Sequence, residues 1–252
     1  MELGLKNKNI LITGSSKNIG KAIAISLAKE SANISICARD KNELNEVLKI
    51  INKFSGNHKA FNIDLEVMDG PNELIDKLHS NKIDPDIVIH NLGGSLQITN
   101  ENFSRSDLER VWQFNLGISH DINLKLIPNM IKKKWGRIIH ISSLAAKTGK
   151  GYIPYVSAKS ALEGYIKAMS KILSKKQIIM TGVAPGLVEL PNRYFTKLKE
   201  ENPDKLNYYF NEHLPIGRMA QPNEVADLVC FLCSNRNTYM AGAIIPIDGG
   251  GS

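Results

Sequence analysis

The sequence contains few cysteines, and their arrangement excludes several classes of protein. Three are present, Cys37, Cys230 and Cys233. An odd number of cysteines without a secretory signal argues against a framework of disulfide bonds. Cys230 and Cys233 form a C-x-x-C pair, but the apolar residues 228–232 around it favour helix packing over redox or metal chemistry. Because no cysteines and histidines have the spacing of a zinc site, we expect no bound metal.

The sequence also lacks a long apolar run. No segment reaches the ~18 consecutive apolar residues that a membrane-spanning helix needs. Residues 1–9 are polar and lead directly into a strand pattern, without the apolar segment of a signal peptide. We therefore expect a cytoplasmic protein that does not associate with a membrane.

The chain is basic, but its basic residues are dispersed. Lysine and arginine exceed the acidic residues by 32 to 25, which gives a formal net charge of +7. Such a balance can indicate nucleic acid or acidic partners. Because neither a basic helix nor a strip of stacking aromatic residues accompanies it, no nucleic-acid partner is expected. The one dense run, the lysines at 132–134, is predicted to end a helix, where cations complement the helix dipole.

Short apolar runs alternate along the chain with longer segments of helical periodicity. Continuous apolar strands that alternate with helices are typical of a parallel sheet with helices on both faces. The sequence therefore predicts a single α/β domain over residues 1–252, built as a Rossmann-type doubly wound parallel sheet. Strands are predicted at residues 9–13, 34–37, 58–63, 87–90, 137–142, 177–183 and 242–247, and helices at 18–29, 41–54, 69–80, 104–134, 155–174 and 222–234.

Two segments depart from this alternation. The helical region 104–134 is expected to be interrupted near Pro128, because proline removes a helical hydrogen bond. Residues 190–214 show no regular pattern, and their length and composition predict a lid over a binding site. The aromatic and charged residues of this lid are Arg193, Tyr194, Tyr208, Tyr209 and His213.

Residues 13–20, of sequence TGSSKNIG, join the first strand to the first helix. Glycine in such a turn lets backbone N–H groups approach a pyrophosphate at the N-terminus of the helix. The strand–turn–helix context is the one that dinucleotide binding requires, although a tight turn without a ligand is the alternative. Candidate binding residues are Gly14, Ser16, Lys17, Asn18, Ile19 and Gly20 and, at the ends of the third and fourth strands, Asp64, Leu65, Asn91 and Gly93.

The residues after the second strand favour a phosphorylated dinucleotide. An acid there would bind a ribose 2′-hydroxyl and repel a 2′-phosphate, and Ala38 occupies the expected position. Arg39 follows it, and Lys17 in the glycine loop faces the same region. Two cations without an acid predict NADP(H), unless both are simply solvated. Asp40 is expected to point away or to begin the next helix.

Tyr155 and Lys159 are four residues apart, which places them on one face of a helix. An ammonium held near a phenol favours the phenolate and lowers the tyrosine pKa from its ordinary value of about 10. The pair can therefore act as an acid or base near neutral pH. An amphipathic helix with a solvated lysine is the alternative reading of the pair alone.

Together these segments resemble the short-chain dehydrogenase/reductase family over residues 13–250, and they are similar to its 3-oxoacyl-[acyl-carrier-protein] reductases. The resemblance implies an NADP-dependent oxidoreductase acting on CH–OH and C=O groups. Asn18 replaces a glycine of the cofactor loop, which asparagine's tolerance of positive φ allows. The family's motifs match Gly14 to Gly20, His90 to Gly93, Asn115, Ser143, Tyr155, Lys159, Pro185, Gly186 and Asp248 to Gly250.

Two positions differ from the family pattern. Ser143 precedes Tyr155 by 12 residues, whereas a spacing of 13 would select Ser142; the Ser-Ser-Leu-Ala context favours Ser143. Leu190 stands where the family often has a threonine that binds the nicotinamide carboxamide. Backbone groups near Val188 are expected to serve instead.

The resemblance implies hydride transfer between the nicotinamide and a carbonyl carbon. Tyr155 would donate a proton to the carbonyl oxygen, and Ser143 would donate a hydrogen bond to it. Lys159 would lower the Tyr155 pKa and bind the nicotinamide ribose. Asn115 would hold a water that links Lys159 to solvent.

The substrate is expected to be a small carbonyl compound or alcohol, free or bound to a carrier protein. An acidic carrier could be attracted by the lysines at 132–134 if they lie near the active-site face. The alternatives are a dehydrogenase for a sugar, cyclic alcohol or steroid, and a non-catalytic NADP(H) sensor. The resemblance also implies a homotetramer or homodimer. Candidate substrate-lining residues are Ser95, Leu96, Gln97, Lys147 and Tyr152.

Overall fold

The protein is described by a computed structural model covering residues 2–191 and 194–252. Seven parallel strands form one sheet in the order β3-β2-β1-β4-β5-β6-β7. The predicted doubly wound sheet is confirmed. The strands are β1 (Asn9–Thr13), β2 (Asn33–Ala38), β3 (Lys59–Asn62), β4 (Ile87–His90), β5 (Gly136–Ile141), β6 (Ile178–Pro185) and β7 (Ile244–Ile247).

Helices cover both faces of the sheet. The helices are α1 (Asn18–Lys29), α2 (Lys41–Ile51), α3 (Gly70–Ser80), α4 (Arg105–Trp112), α5 (Ile118–Lys133), α6 (Ala145–Thr148), α7 (Ile153–Leu173), α8 (Tyr194–Glu201), α9 (Pro203–His213) and α10 (Pro222–Cys233). No described helix, over residues 2–191 and 194–252, has the length and apolarity needed to cross a membrane.

The two faces form separate cores because successive side chains of a strand point in opposite directions. Ile10 and Ile12 of β1 pack with α1, α2 and α10, whereas Leu11 packs on the other side with α3, α5 and α7. All three side chains are buried. Burying one such side chain contributes about 1.5–3 kcal/mol, so the strands are fixed from both sides.

The interruption predicted near Pro128 is wrong. Pro128 lies inside α5 on its exposed side, where water can bind the carbonyl that loses its helical partner. The helical region is broken earlier, by a π-helical turn at Gln113–Gly117 that joins α4 to α5. Such turns hold one extra residue per turn and occur often at functional sites.

The irregular structure expected for the lid is also wrong over its described residues, which form α8 and α9. The reason is an apolar spacing of four: Leu206 and Phe210 lie on one face of α9 and are buried together with Leu198 and Leu214. Arg193, which was predicted to belong to the lid, lies outside the described residues.

Candidate active site

The site lies at the carboxyl ends of β1 and β4, where the strand order reverses. At this point of a doubly wound sheet, the loops diverge and leave a crevice. The glycine loop crosses it with positive φ at Gly14 (62°) and Asn18 (53°). The prediction that Asn18 can take the place of glycine in this turn is therefore confirmed.

The loop is fastened to the end of β4. The Asn91 side-chain amide donates to the Gly14 carbonyl at 2.7 Å, and the Leu92 N–H donates to the Thr13 hydroxyl at 3.3 Å. A Cβ on Gly14 would lie 3.1 Å from the Leu92 backbone. Glycine is needed here because the two segments approach so closely, and its φ is positive.

The start of α1 fits the pyrophosphate of a dinucleotide. Lys17 is the N-cap of α1, and its side chain makes no capping hydrogen bond to the first turn of the helix. The first backbone N–H groups of a helix lack intrahelical partners and attract anions. By contrast α2 is capped by Asp40, which accepts from the Glu43 N–H at 3.0 Å. The prediction that Asp40 begins the next helix is confirmed.

The two cations predicted for a 2′-phosphate lie at this end of the site, and each is paired with an acid. Lys17 Nζ lies 3.5 Å from Glu43 Oε2, which also accepts from the Ser16 hydroxyl at 3.1 Å. Arg39 lies 3.6 Å from Glu66 Oε2. Neither acid was predicted from the sequence, although Glu43, three residues after the Asp40 cap, could be placed in the first turn of α2.

Asn115 lies buried in the π-helical turn. Its amide nitrogen donates to the carbonyls of Val111 and Gly94, both at 2.8 Å, and its oxygen accepts from the Gly94 N–H at 3.0 Å. All three partners are backbone groups. The turn therefore fixes the orientation of the Asn115 amide against the loop that follows β4.

Gly93 brings Asn115 and Lys159 together. A Cβ at this glycine would lie 2.7 Å from Asn115 Oδ1 and 2.9 Å from Lys159 Nζ. Real Cβ atoms do not make contacts below 3.0 Å, so a larger residue at this position would force Asn115 or Lys159 to shift. The predicted catalytic asparagine and lysine therefore meet across one glycine, although 44 residues separate them in sequence (159 − 115).

Lys159 is buried on α7, and its Nζ donates to the Ile141 carbonyl at 2.8 Å. Burial lowers the pKa of Lys159 to about 8, and the negative charge of Glu163 opposes this shift. The ammonium lies 5.8 Å from the centre of the Tyr155 ring. The spacing of four residues thus places the pair on one face of α7, as predicted from the sequence.

The two candidate serines differ in surroundings. Ser142 is buried, and its hydroxyl donates to Glu163 at 2.9 Å. Ser143 is half-buried in the loop after β5, and its hydroxyl accepts from the Ala145 N–H at 3.2 Å. Its own proton is thus not needed for that bond, so Ser143 has a donor to offer a ligand.

A buried histidine pair lies behind this site. His90 and His140 stack with ring centroids 4.6 Å apart, and His90 Nε2 is 2.9 Å from Asn123 Oδ1. Burial lowers the pKa of His90 to about 4, and that of His140 falls well below its ordinary value for the same reason. Both rings are therefore neutral near neutral pH and add no positive charge beside Lys159.

Comparison with known proteins agrees with this geometry. The family model described as enoyl-(acyl carrier protein) reductase matches residues 14–252. The chain is 30% identical over 252 residues to the 3-oxoacyl-[acyl-carrier-protein] reductase of Aquifex aeolicus, with 99% of each chain covered. The chain belongs to the short-chain dehydrogenase/reductase family. The predicted membership and the similarity to 3-oxoacyl-carrier-protein reductases are confirmed.

Other members of the short-chain dehydrogenase/reductase family act on sugars. L-rhamnose 1-dehydrogenase (NADP(+)) of Thermoplasma acidophilum is 33% identical over 258 residues, with 98% of this chain and 97% of that one covered. The crystal structure of L-sorbose reductase from Gluconobacter frateurii, complexed with NADPH and L-sorbose, matches with a TM-score of 0.91 at 29% identity. That match covers 100% of this chain and 98% of the reductase.

Pro185, Gly186 and Val188 lie at or just after the carboxyl end of β6, at the same edge of the sheet. The Leu144 N–H donates to the Pro185 carbonyl at 2.9 Å, and the Gly186 N–H donates to the Ile247 carbonyl at 3.0 Å. Val188 forms an isolated bridge with Ala220. These bonds join the carboxyl ends of β5, β6 and β7 to one another.

Asp64 and Leu65 follow β3, where the Asp64 carboxylate accepts from the Glu66 N–H at 2.9 Å and Leu65 is buried. Leu190, at the threonine position of the family, accepts at its carbonyl from the Thr196 hydroxyl at 2.8 Å. This bond joins the segment after β6 to α8, in the region predicted to form a lid.

The candidate substrate-lining residues lie in two segments. Leu96 and Gln97 have positive φ, at 52° and 61°, in the loop that contains Ser95. In the second segment, Lys147 lies in α6, where its Nζ donates to the Ser252 hydroxyl at 3.0 Å, and Tyr152 is exposed just before α7.

The lysines at 132–134 end α5, as predicted, but they do not lie near the active-site face. Lys133, at the end of α5, lies 2.8 Å from Asp86 and 2.9 Å from Asp84, directly before β4. Because all the strands are parallel, their amino ends share one edge of the sheet. This run therefore lies opposite the edge that carries the site residues.

Proposed function

We propose that this chain is an NADP(H)-dependent oxidoreductase that reduces a carbonyl group to an alcohol by hydride transfer. The observation that carries the proposal is the meeting of Asn115 and Lys159 across Gly93, with Tyr155 one helical turn from the lysine. An uncapped helix N-terminus lies at the same sheet edge and suits a pyrophosphate. The proposed dinucleotide site and the proposed acid–base pair, Tyr155 and Lys159, are therefore adjacent.

Bound NADPH would supply the hydride, and the residues of the chain would handle the proton. Tyr155 donates its phenolic proton to the carbonyl oxygen as negative charge develops there. Ser143 donates a hydrogen bond to the same oxygen and stabilises that charge. Lys159 stabilises the phenolate that remains. A lysine with a pKa of about 8 exchanges its proton near neutral pH, which suits this role.

Asn115 is proposed to hold the water that returns a proton to Lys159. Both hydrogens of its amide are used by Val111 and Gly94, and the oxygen accepts one N–H bond. An amide oxygen has two lone pairs, so one acceptor position is left for a water. Asn115 Oδ1 and Lys159 Nζ lie on the same side of Gly93, 2.7 and 2.9 Å from the position of an added Cβ.

The choice of NADP(H) is supported by Lys17 and Arg39, which flank the expected position of a ribose 2′-phosphate. It is also supported by two relatives, because one is named as an NADP(+) enzyme and the other binds NADPH. Gly14, Ser16, Asn18, Ile19, Gly20, Asp64, Leu65, Asn91, Pro185, Gly186 and Val188 complete the proposed nucleotide site.

Two substrate classes have support. Similarity to 3-oxoacyl-[acyl-carrier-protein] reductases supports a 3-oxoacyl group, free or on a carrier. The lid supports a sugar or polyol, because Tyr194 and Tyr208 are exposed on it and Tyr209 contacts His213 with ring centroids 4.9 Å apart. Tyrosine offers a ring face and a hydroxyl together, which suits a polyhydroxylated ligand. Similarity to sorbose and rhamnose enzymes points the same way.

A panel of carbonyl compounds and alcohols, followed by NADPH and NADH absorbance, tests the function. The panel holds a 3-oxoacyl thioester, L-sorbose, L-rhamnose and a cyclic ketone. We expect turnover of at least one compound, with NADPH preferred. Tyr155→Phe should lower kcat by about 10³-fold and leave NADPH binding intact. Turnover retained by this variant would refute the mechanism, and binding without turnover of any compound would favour a sensor.

A homodimer or homotetramer in the cytoplasm completes the proposal. Apolar side chains are exposed on α4, α5 and α7, where Trp112, Leu124 and Ile172 are 44%, 56% and 57% exposed. Exposed apolar surface of this kind is typical of an interface between subunits. Light scattering should give a multiple of the 27.9 kDa chain mass; a monomer would contradict the oligomer.

A further inference from the structure

We propose that Glu43 is a specificity-determining residue of the nucleotide site, whose carboxylate competes with the 2′-phosphate of NADP(H) for Ser16 and Lys17. The inference rests on the proposed function, because it takes the dinucleotide to bind at the glycine loop. It assigns to Glu43 an effect opposite to that of the two cations: Glu43 weakens the preference for the phosphorylated cofactor.

The geometry places one oxygen on both donors. Glu43 Oε2 accepts from the Ser16 hydroxyl at 3.1 Å and lies 3.5 Å from Lys17 Nζ. Ser16 and Lys17 are the loop residues nearest the start of α1. A phosphate on the adenosine ribose would need the same hydroxyl and the same ammonium. The Ser16 hydroxyl has one proton, so a carboxylate and a phosphate cannot both accept it, and one must displace the other.

The backbone of Glu43 is fixed, which keeps its carboxylate near the loop. Its N–H donates to Asp40 Oδ1 at 3.0 Å in the first turn of α2. A negative charge in the first turn of a helix is also favoured by the helix dipole. The side chain can turn away from Ser16, but the backbone of Glu43 stays in the first turn of α2.

The two dinucleotides should respond differently to this charge. The 2′-phosphate of NADP(H) is repelled by a carboxylate at close range. The 2′-hydroxyl of NAD(H) can instead donate a hydrogen bond to it, as ribose hydroxyls do to acidic residues in related nucleotide sites. Glu43 therefore lowers affinity for NADP(H) and leaves affinity for NAD(H) equal or higher.

The second acid of this region, Glu66, differs in its partners. Glu66 binds Arg39 and is also held by Arg110, whose Nε donates to Oε1 at 2.8 Å. If Arg39 turns towards a phosphate, Arg110 retains Glu66. Among the described residues, Lys17 is the one cation paired with Glu43. Glu43 is therefore the acid that a bound phosphate must displace.

The test compares Glu43→Gln with the wild-type chain by fluorescence titration of NADPH and NADH, which needs no turnover. Glutamine keeps the size of the side chain and removes its charge. We expect the Kd for NADPH to fall by about tenfold, since removing one nearby like charge amounts to roughly 1.4 kcal/mol. The Kd for NADH should stay unchanged or rise. Added salt should reduce the gain.

Glu46→Gln is the matched control. Glu46 lies one turn further along α2 and pairs with Lys49 at 2.7 Å. The substitution changes the net charge equally but touches neither Ser16 nor Lys17, so the ratio of the two Kd values should not change.

Three results would be decisive. An unchanged Kd ratio in Glu43→Gln would overturn the inference. An equal change in Glu46→Gln would also overturn it, because the effect would then come from net charge. Failure of the wild-type chain to bind either dinucleotide would instead overturn the proposed function, and the two failures are thus distinguishable.

Discussion

The two ends of the site are held in different ways. At the catalytic end, Asn115 and Lys159 are each 3% exposed and bind backbone carbonyl and N–H groups. At the nucleotide end, the side chains of Lys17 and Arg39 are 66% and 69% exposed and bind carboxylates. Backbone partners cannot turn away, whereas carboxylate side chains can. The fold therefore fixes the residues of the proposed catalysis, whereas the proposed choice of dinucleotide depends on side chains that can move.

The free-energy cost of losing an interaction should therefore differ between the two ends. A buried polar group that loses its partner costs about 1–3 kcal/mol. An exposed ion pair contributes about 0–1 kcal/mol and is weakened by salt. Substitutions at the catalytic end should therefore have large effects that salt does not change, and those at the nucleotide end should have small effects that it does.

The largest contrast is expected between the adjacent serines. Ser143→Ala should lower kcat by about 10²–10³-fold, because a hydrogen bond to the developing oxyanion is lost. Ser142→Ala should instead remove the bond to Glu163 and cost about 1–3 kcal/mol of unfolding free energy. Steady-state kinetics and urea unfolding measure the two effects. The reverse pattern would make Ser142 the catalytic serine.

The backbone fit at the catalytic end is tested by Gly93→Ala. The added Cβ would meet Asn115 Oδ1 and Lys159 Nζ below 3.0 Å, so we expect a loss of about 1–3 kcal/mol of stability and weaker NADPH binding. The control is Gly164→Ala on α7, where the added Cβ meets no atom within 4 Å. That variant should be neutral or more stable, because alanine favours helix. Equal melting temperatures for both variants would contradict the tight fit.

The nucleotide end is tested by Arg39→Ala. Loss of one cation from the proposed phosphate site should raise the Kd for NADPH by about tenfold and leave that for NADH nearly unchanged. The effect should shrink at high salt. Arg105→Ala is the control, because Arg105 is an exposed arginine paired with Glu109 on α4. A parallel loss of affinity for NADH would show that Arg39 does not distinguish the two dinucleotides.

The smallest effect is a pH dependence of stability from Lys159. Burial lowers its pKa to about 8 in the folded chain from 10.5, so above pH 8 the unfolded chain binds more protons. Unfolding free energy should therefore rise with pH through this group, by about 1 kcal/mol from pH 8 to 9. Lys159→Met should lose that rise. The comparison stops at pH 9 because of two buried thiols, Cys37 and Cys230, whose pKa values burial raises to about 12. Above pH 9 these thiols lose protons in the unfolded chain but not in the folded chain, which lowers stability. Identical curves would exclude a lowered pKa.

Much of the fold follows from the sequence, because the strands of a parallel sheet are apolar throughout. β1 and β4 have the bounds that their apolar runs predict. The break in the helical region 104–134 was predicted at Pro128 because proline disfavours helix, but it lies at the π turn. A π turn has no characteristic residue in the sequence that would predict it. The lid helices were missed because residues 190–214 are rich in polar side chains, which hide an apolar spacing of four.

The site could be predicted only where its residues carry local motifs. Tyr155 and Lys159 are neighbours on one helix, so their spacing alone brings them together. The pairing of Lys17 with Glu43, and of Arg39 with Glu66, depends on how α2 and the loop after β3 pack, which no local pattern contains. The carbonyl of Ile141 that holds Lys159 is equally invisible, because any residue could provide it.

The π-helical turn also shows where this chain could lose a residue without exposing its core. A π turn holds one residue more than an α-helical turn, so removing one residue from Gln113–Gly117 would restore an ordinary turn and leave the faces of α4 and α5 nearly unchanged. Ile122, Leu126 and Met130 would then stay buried, but the wide turn that holds the Asn115 amide against Gly94 would be lost. The surplus residue is therefore needed by the proposed site and not by the core.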